Sequence, residues 1–179
     1  MQPLLALSRA IDAGNEFIGR SVGWLVLLAV LVSAVNAIVR YSLNASSNAW
    51  LELQSLLFGM VFLLGAAYTL LRNEHIRIDI VNARLPRALR HWIDIFGHVF
   101  FVMPFCLIMI VSGTRFFLRS LALNESSSSA GGLLLWPSKL LVPLCFALLL
   151  AQTLSELIKR VAVLRGAIAD PHEGARGHG

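Results

Sequence analysis

Four long apolar runs constrain this chain more than any other feature. They cover residues 22–39, 53–71, 93–113 and 140–158 of the 179-residue sequence. At about 1.5 Å per residue, each is long enough as a helix to cross a hydrocarbon core of ~30 Å. Lipid offers the backbone no hydrogen-bond partners, so a segment that crosses it satisfies its own N–H and C=O groups as a helix. The expected fold is therefore all-α: an integral membrane protein with four transmembrane helices. Composition agrees, since 57% of residues are hydrophobic and only 14% charged, against about 25% charged in soluble chains. Residues 1–165 read as one four-helix unit and 166–179 as a flexible cytoplasmic tail.

The basic residues set the orientation. Eleven of the fifteen Lys and Arg residues fall in the N-terminus, the loop between the second and third runs, and the C-terminal tail. The remaining four, Arg40, Arg115, Arg119 and Lys139, fall on the other side. Cytoplasmic loops gather Lys and Arg, which predicts both termini inside. The first run starts after some twenty residues of mixed polarity and exceeds the apolar stretch of a signal peptide, so it reads as a retained span. The net charge of +5 comes from the same loops. No basic run interleaved with aromatics marks a nucleic-acid groove.

Segments between the spans carry weaker patterns. Residues 3–19 place Leu4, Leu7, Ile11 and Ile18 near one face and Arg9, Asp12 and Glu16 elsewhere, as in a helix lying in the membrane interface. Residues 86–92 read as a second interfacial helix. The outside loop begins with the polar run Ser126–Ser129, which reads as flexible. Gly131-Gly132 and Trp136-Pro137 then mark turns.

Polar groups inside a bilayer are costly and each calls for an explanation. Along the second run, Glu52, Ser55, Gly59, Phe62, Ala66 and Thr69 recur at helical spacing. They form a small, polar stripe of the kind that lets another helix approach, read here as a subunit-packing face anchored by Glu52. The opposite side holds Leu57, Met60, Leu64 and Leu71. The fourth run carries a stripe of Cys145, Leu149, Gln152 and Glu156. In the third run Asp94 and His98 stand one turn apart as an intramembrane polar pair, with Phe101, Phe105 and Ser112 further along that face. Pro104 is expected to kink this helix.

Enzyme chemistry finds no support in these patterns. Ser126–Ser129 has no neighbouring His to act as base, Cys106 and Cys145 lie inside apolar runs, and His75, His91 and His98 lack metal-ligand spacing. No catalytic residue, metal ligand or cofactor is assigned to this chain. The rival reading is a cytochrome-like anchor subunit of a membrane oxidoreductase that uses His98.

The stretch ELQSLLFGMVFLLGAAYTLLRNEHIRID, residues 52–79, resembles the small DctQ-type permease subunit of tripartite ATP-independent periplasmic (TRAP) transporters. Glu52, Gly65, Ala66, Ala67, Arg72, His75 and Asp79 carry the likeness. A second set, Gly131, Gly132, Trp136, Pro137, Lys139, Pro143 and Gln152, resembles the mannitol, chloroaromatic and 2-oxo acid branch. The resemblance implies a non-enzymatic scaffold in the bacterial inner membrane. Its expected partners are a large permease subunit, which would hold the sodium sites, and a periplasmic binding protein that delivers a solute such as an organic acid.

Overall fold

The structure, a computed structural model, describes residues 2–43, 47–72, 86–129 and 132–168. Its helices are α1 (Gln2–Leu43), α2 (Asn48–Arg72), α3 (Arg87–Gly97), a π turn (His98–Val102), α4 (Met103–Ala122) and α5 (Trp136–Leu164). Because α3, the π turn and α4 are continuous, four rods result, each long and apolar enough to cross a membrane. The all-α, four-span fold is therefore present. One end carries Leu43, Asn48 and the 123–135 connection. The other, the arginine-rich end, carries Arg72 and Arg160.

The first and last rods extend well beyond the apolar runs. Residues 3–19 form no separate interfacial helix, because α1 runs unbroken from Gln2 to Leu43. After Pro3 no proline interrupts it, and Gly14, Gly19 and Gly23 are tolerated within a helix that packs on its neighbours. Trp136-Pro137 likewise begins α5 instead of forming a turn. Proline suits the first helical turn, where its missing N–H would have no partner in any case.

The helix α5 is the hub: it packs on α1, α2, α3, the π turn and α4, while α1 and α2 pack on each other. Between α1 and α2, Ala29, Val32 and Leu57 form a buried apolar cluster flanked by Leu25, Trp50, Leu53 and Met60. The expected apolar side of α2 thus faces α1. Two glycines allow close approach. A Cβ on Gly19 would sit 2.2 Å from Cγ and Cδ2 of Tyr68, and one on Gly113 would sit 3.1 Å from Cδ of Pro143.

The π turn changes the helical phase expected from a steady period. Proline cannot donate the i→i−4 bond and its ring crowds that carbonyl, and here the turn widens just ahead of Pro104. The Met103 N–H accordingly bonds the His98 carbonyl, five residues back. One extra residue in this turn rotates the rest of the helix, so Phe101 and Phe105 point outward at 67% and 52% exposure. The buried face of α4 is instead Cys106, Gly113 and Ser120.

Candidate functional site

Polar side chains meet at the arginine-rich end, along the inward face of α5. Gln152, Thr153, Ser155, Glu156 and Arg160 are all buried there. Thr153 closes onto its own helix through the Leu149 carbonyl, 2.8 Å away. Gln152, Ser155 and Arg160 reach across to α1 and α3.

Ser8, Asp12 and Asn15 on α1 are spaced four and three residues apart and share one helix face. That face meets α5. The Gln152 Oε1 accepts from Asn15 Nδ2 at 2.7 Å, while its Nε2 donates to Asp12 Oδ1 at 2.9 Å. A planar amide supplies both a donor and an acceptor, which a carboxylate or an amine at this position would not. Ser155 Oγ lies 2.7 Å from Ser8 Oγ and donates to Asp12 Oδ1 at 2.7 Å. Lys159 Nζ donates to Asp12 Oδ2 at 3.1 Å and also to Glu156. This is a correction to the expected interfacial helix. The amphipathic pattern of residues 3–19 is real, but its polar side faces another helix.

On α3 and at the start of the π turn, His91 and His98 are buried while Leu89, Trp92, Ile93 and Phe96 face outward. The segment expected as an interfacial helix, 86–92, is the start of α3. The polar pair assigned to Asp94 and His98 does not form between side chains. His98 Nδ1 lies 2.6 Å from the Asp94 carbonyl, which can only accept, so Nδ1 carries the proton. The Asp94 carboxylate turns to Arg160 instead, with Oδ2 3.4 Å from its Nη2. A cation one helix away attracts a carboxylate more strongly than a neutral imidazole does. Arg160 Nη1 also meets His91 Nδ1 at 3.3 Å. A guanidinium only donates, so His91 accepts there.

At the opposite end, Glu52 holds the connection before α5. Its Oε1 accepts from Ser127 Oγ, and its Oε2 accepts from the Leu133 N–H at 2.7 Å. The Ser127 N–H bonds the Leu133 carbonyl at 2.9 Å, and Gly132 N–H bonds Ser129 O at 3.0 Å, which closes a small hairpin. A Cβ on Gly132 would lie 2.5 Å from Cβ of Ser127, so this turn needs glycine. The serine run is therefore pinned, contrary to its expected flexibility, and Glu52 is committed within the chain before any partner arrives. Lys139 pairs with Glu125 beside it and stands 4.1 Å from the Phe116 ring centroid. The Trp136 ring lies tilted by 57° against Phe117, with centroids 6.4 Å apart.

The rest of the α2 stripe stays open. Ser55 and Phe62 are exposed, and Gly59, Ala66 and Thr69 are only partly covered. A Cβ on Gly59 or Gly65 would meet nothing within 4 Å. Beside Gly59, the outer half of α2, the hairpin and the start of α5 enclose a groove of about 790 Å³. Its walls include Leu51, Ser55, Leu63, Leu134, Pro137 and Leu141. Arg72 closes the far end of α2 by pairing with Glu16 at 2.6 Å. His75, Asp79 and Gly131, and the tail from residue 169, lie outside the described residues. Among the described residues, no group of three His, Cys, Asp or Glu side chains could hold a metal ion.

A family model for the DctQ component of tripartite ATP-independent periplasmic transporters matches residues 20–163. This chain belongs to the DctQ family. It is thus a small-subunit component of a TRAP transporter and a multi-pass membrane protein. No curated protein and no solved structure matches it. Of the positions that carried the resemblance, this DctQ chain uses Gly132 in the hairpin turn, Lys139 to hold Glu125, and Gln152 at the centre of the seam. Pro143 serves the α4–α5 contact opposite Gly113. The sequence reading missed Ser8, Asp12 and Asn15 as partners of α5, Gly19 as the seat for Tyr68, and Arg160 as the partner of Asp94. The Ser8, Asp12, Asn15 spacing, matched by Gln152, Ser155 and Lys159, was the available signal.

Proposed function

We propose that this DctQ chain is a fixed scaffold for the large permease subunit of its transporter, and that Ser55, Gly59 and Ala66 on α2 form part of the packing face. The observation that carries this reading is a contrast among glycines. Gly19 and Gly113 are filled by the chain's own side chains, whereas the space over Gly59 is empty. Small residues let membrane helices approach closely, and on α2 no described helix of this chain takes up that approach. The internal pairing of Asp12, Glu156, Lys159, Asp94 and Arg160 suits a rigid support better than a transport path.

In this reading the chain sits in the bacterial inner membrane with both termini in the cytoplasm, in line with the positive-inside count. The large permease carries the sodium and solute sites, and a periplasmic binding protein delivers the solute, an organic acid. We assign it to the mannitol, chloroaromatic and 2-oxo acid branch on Gly132, Trp136, Pro137, Lys139 and Gln152.

The test is recovery of a tagged chain from its native membrane, with mass spectrometry of the proteins that accompany it. A large polytopic permease in near-equal amount is expected, and Gly59→Leu should lower that recovery while leaving the isolated chain stable. Recovery of redox subunits, or undiminished permease with Gly59→Leu, would sink the assignment.

A further inference from the structure

The helix α1 has 42 residues, about 63 Å at 1.5 Å per residue. A bilayer with its headgroups measures only ~40–45 Å. The first eighteen residues of α1 also precede the family match, which begins at residue 20. Where this inner stretch sits is therefore a separate question from what the family does.

Its surface supplies an answer. One row on α1 runs from Leu7 through Ala10, Gly14 and Phe17 to Trp24 and Leu28, and all six are exposed. The spacings of three, four and seven keep them on a single helix face, and no charged residue interrupts the row. The Trp24–Leu28 part lies on the span itself, where lipid is the surrounding solvent. The Leu7–Phe17 part continues that same surface without a break. Over this stretch the ionisable side chains of Asp12 and Glu16 point the other way, to Lys159 on α5 and Arg72 on α2. Ser8 and Asn15 are buried against α5 at 1% and 4% exposure.

A helix end standing in water would put its polar residues outward and its apolar ones against α5. Here Ser8 and Asn15 face α5 while Leu7 and Phe17 face out, an arrangement favoured by an apolar surround. Across the seam, α3 and the π turn show the same inversion, with His91 and His98 inside and Trp92 and Phe96 outside. Arg9 and Arg20 are exposed beside the row, and long basic side chains reach headgroup phosphates while their stems lie along apolar surface.

We propose that the Leu7–Phe17 face of α1 lies at the headgroup–acyl boundary of the arginine-rich leaflet, with Leu7, Ala10, Gly14 and Phe17 against phospholipid chains. The helix α1 then crosses the bilayer steeply tilted, near the upper end of the ~0–40° range of membrane helices. The occupant of this face is lipid, continuous with the lipid around the span.

The experiment places bimane on Leu7→Cys or Ala10→Cys in a Cys106→Ala, Cys145→Ala background. The purified full chain is reconstituted in phosphatidylethanolamine–phosphatidylglycerol vesicles with brominated acyl chains. Ala10→Cys is a small change at an exposed position and guards against misfolding at Leu7. Both sites should be quenched by the brominated chains to within about twofold of Leu28→Cys in the span, and hardly by aqueous iodide. Iodide quenching close to that of the free dye would put this stretch in water and overturn the proposal. Shielding from both quenchers would show protein cover and overturn it equally.

Discussion

Gly19→Ala is the most direct test of how α1 and α2 are held together. The new Cβ would stand 2.2 Å from Cγ and Cδ2 of Tyr68 and 2.7 Å from its Cβ. Contacts between carbons are favourable near 3.5–4.0 Å, so more than an ångström has to be found. The crowded atoms are the root of the Tyr68 side chain, which moves only if α2 moves. Tyr68 is also the ring beneath Arg72, 5.3 Å from its guanidinium carbon, and Arg72 pairs with Glu16 one turn from Gly19. Overpacking of this kind costs about 1–3 kcal/mol. Replacing a helical glycine by alanine returns up to about 1 kcal/mol of helix propensity. A net loss of about 1–2 kcal/mol is expected. Gly14→Ala is the control, because a Cβ there meets nothing within 4 Å, and it should be neutral or slightly stabilising. The assay is unfolding of the purified chain in mild detergent, monitored by tryptophan fluorescence. Combining Gly19→Ala with Tyr68→Ala should recover part of the loss. If Gly19→Ala proves as stable as Gly14→Ala, or if Tyr68→Ala gives no recovery, the close approach of α1 and α2 at this point is wrong.

Other sites give sharper local readouts. Gln152→Leu removes both the acceptor for Asn15 and a donor to Asp12, leaving buried polar groups unpaired. A loss of about 1–3 kcal/mol is expected, measured by the same unfolding assay, and an unchanged midpoint would refute the seam. Glu52→Ala frees Ser127 Oγ and the Leu133 N–H together, so amide exchange should speed up across residues 126–134 and not in the middle of α5. Equal protection in both proteins would count against the clamp. Gly113→Leu should separate α4 from α5 by forcing a side chain onto Val142 and Pro143, and cysteine crosslinks between these helices should fall in yield. The Glu125 carboxyl is held below its ordinary value of 4.5 by its hydrogen bond from Lys139. A lowered folded-state value means the stabilisation is present above the ordinary value and fades as pH falls through the lowered one. Ordering of the hairpin should therefore weaken in that acidic window, and Lys139→Met should reduce the dependence there, leaving the smaller part due to Ser120 and Arg119.

Much of this protein follows from local physics and is visible in the sequence. Four apolar runs in a chain with few charges can only be helices in lipid, whatever packs beside them. The face of α5 through Cys145, Gln152 and Glu156 is inward, because polar and small positions at helical spacing in a membrane turn away from lipid. The small-residue stripe on α2 was also legible, since its spacing alone defines a face.

What the tertiary structure decided is where polar faces end. Amphipathic helices look alike in sequence whether their polar side meets water or another helix. Only the α1–α5 contact shows that Ser8, Asp12 and Asn15 look inward. Asp94 and His98 stand one turn apart in the chain, yet Arg160 on another helix claims the carboxylate, because charge attraction acts through space and not along sequence. The π turn before Pro104 rotates the remainder of its helix by one residue, a shift that no steady 3.6-residue period anticipates. Glu52 reads as available to a partner until the serine run folds back onto it. Sequence determined which segments enter the membrane, because that depends on each segment's own transfer into lipid. Which polar group satisfies which depends on neighbours distant in the chain, and only the packed structure brings them together.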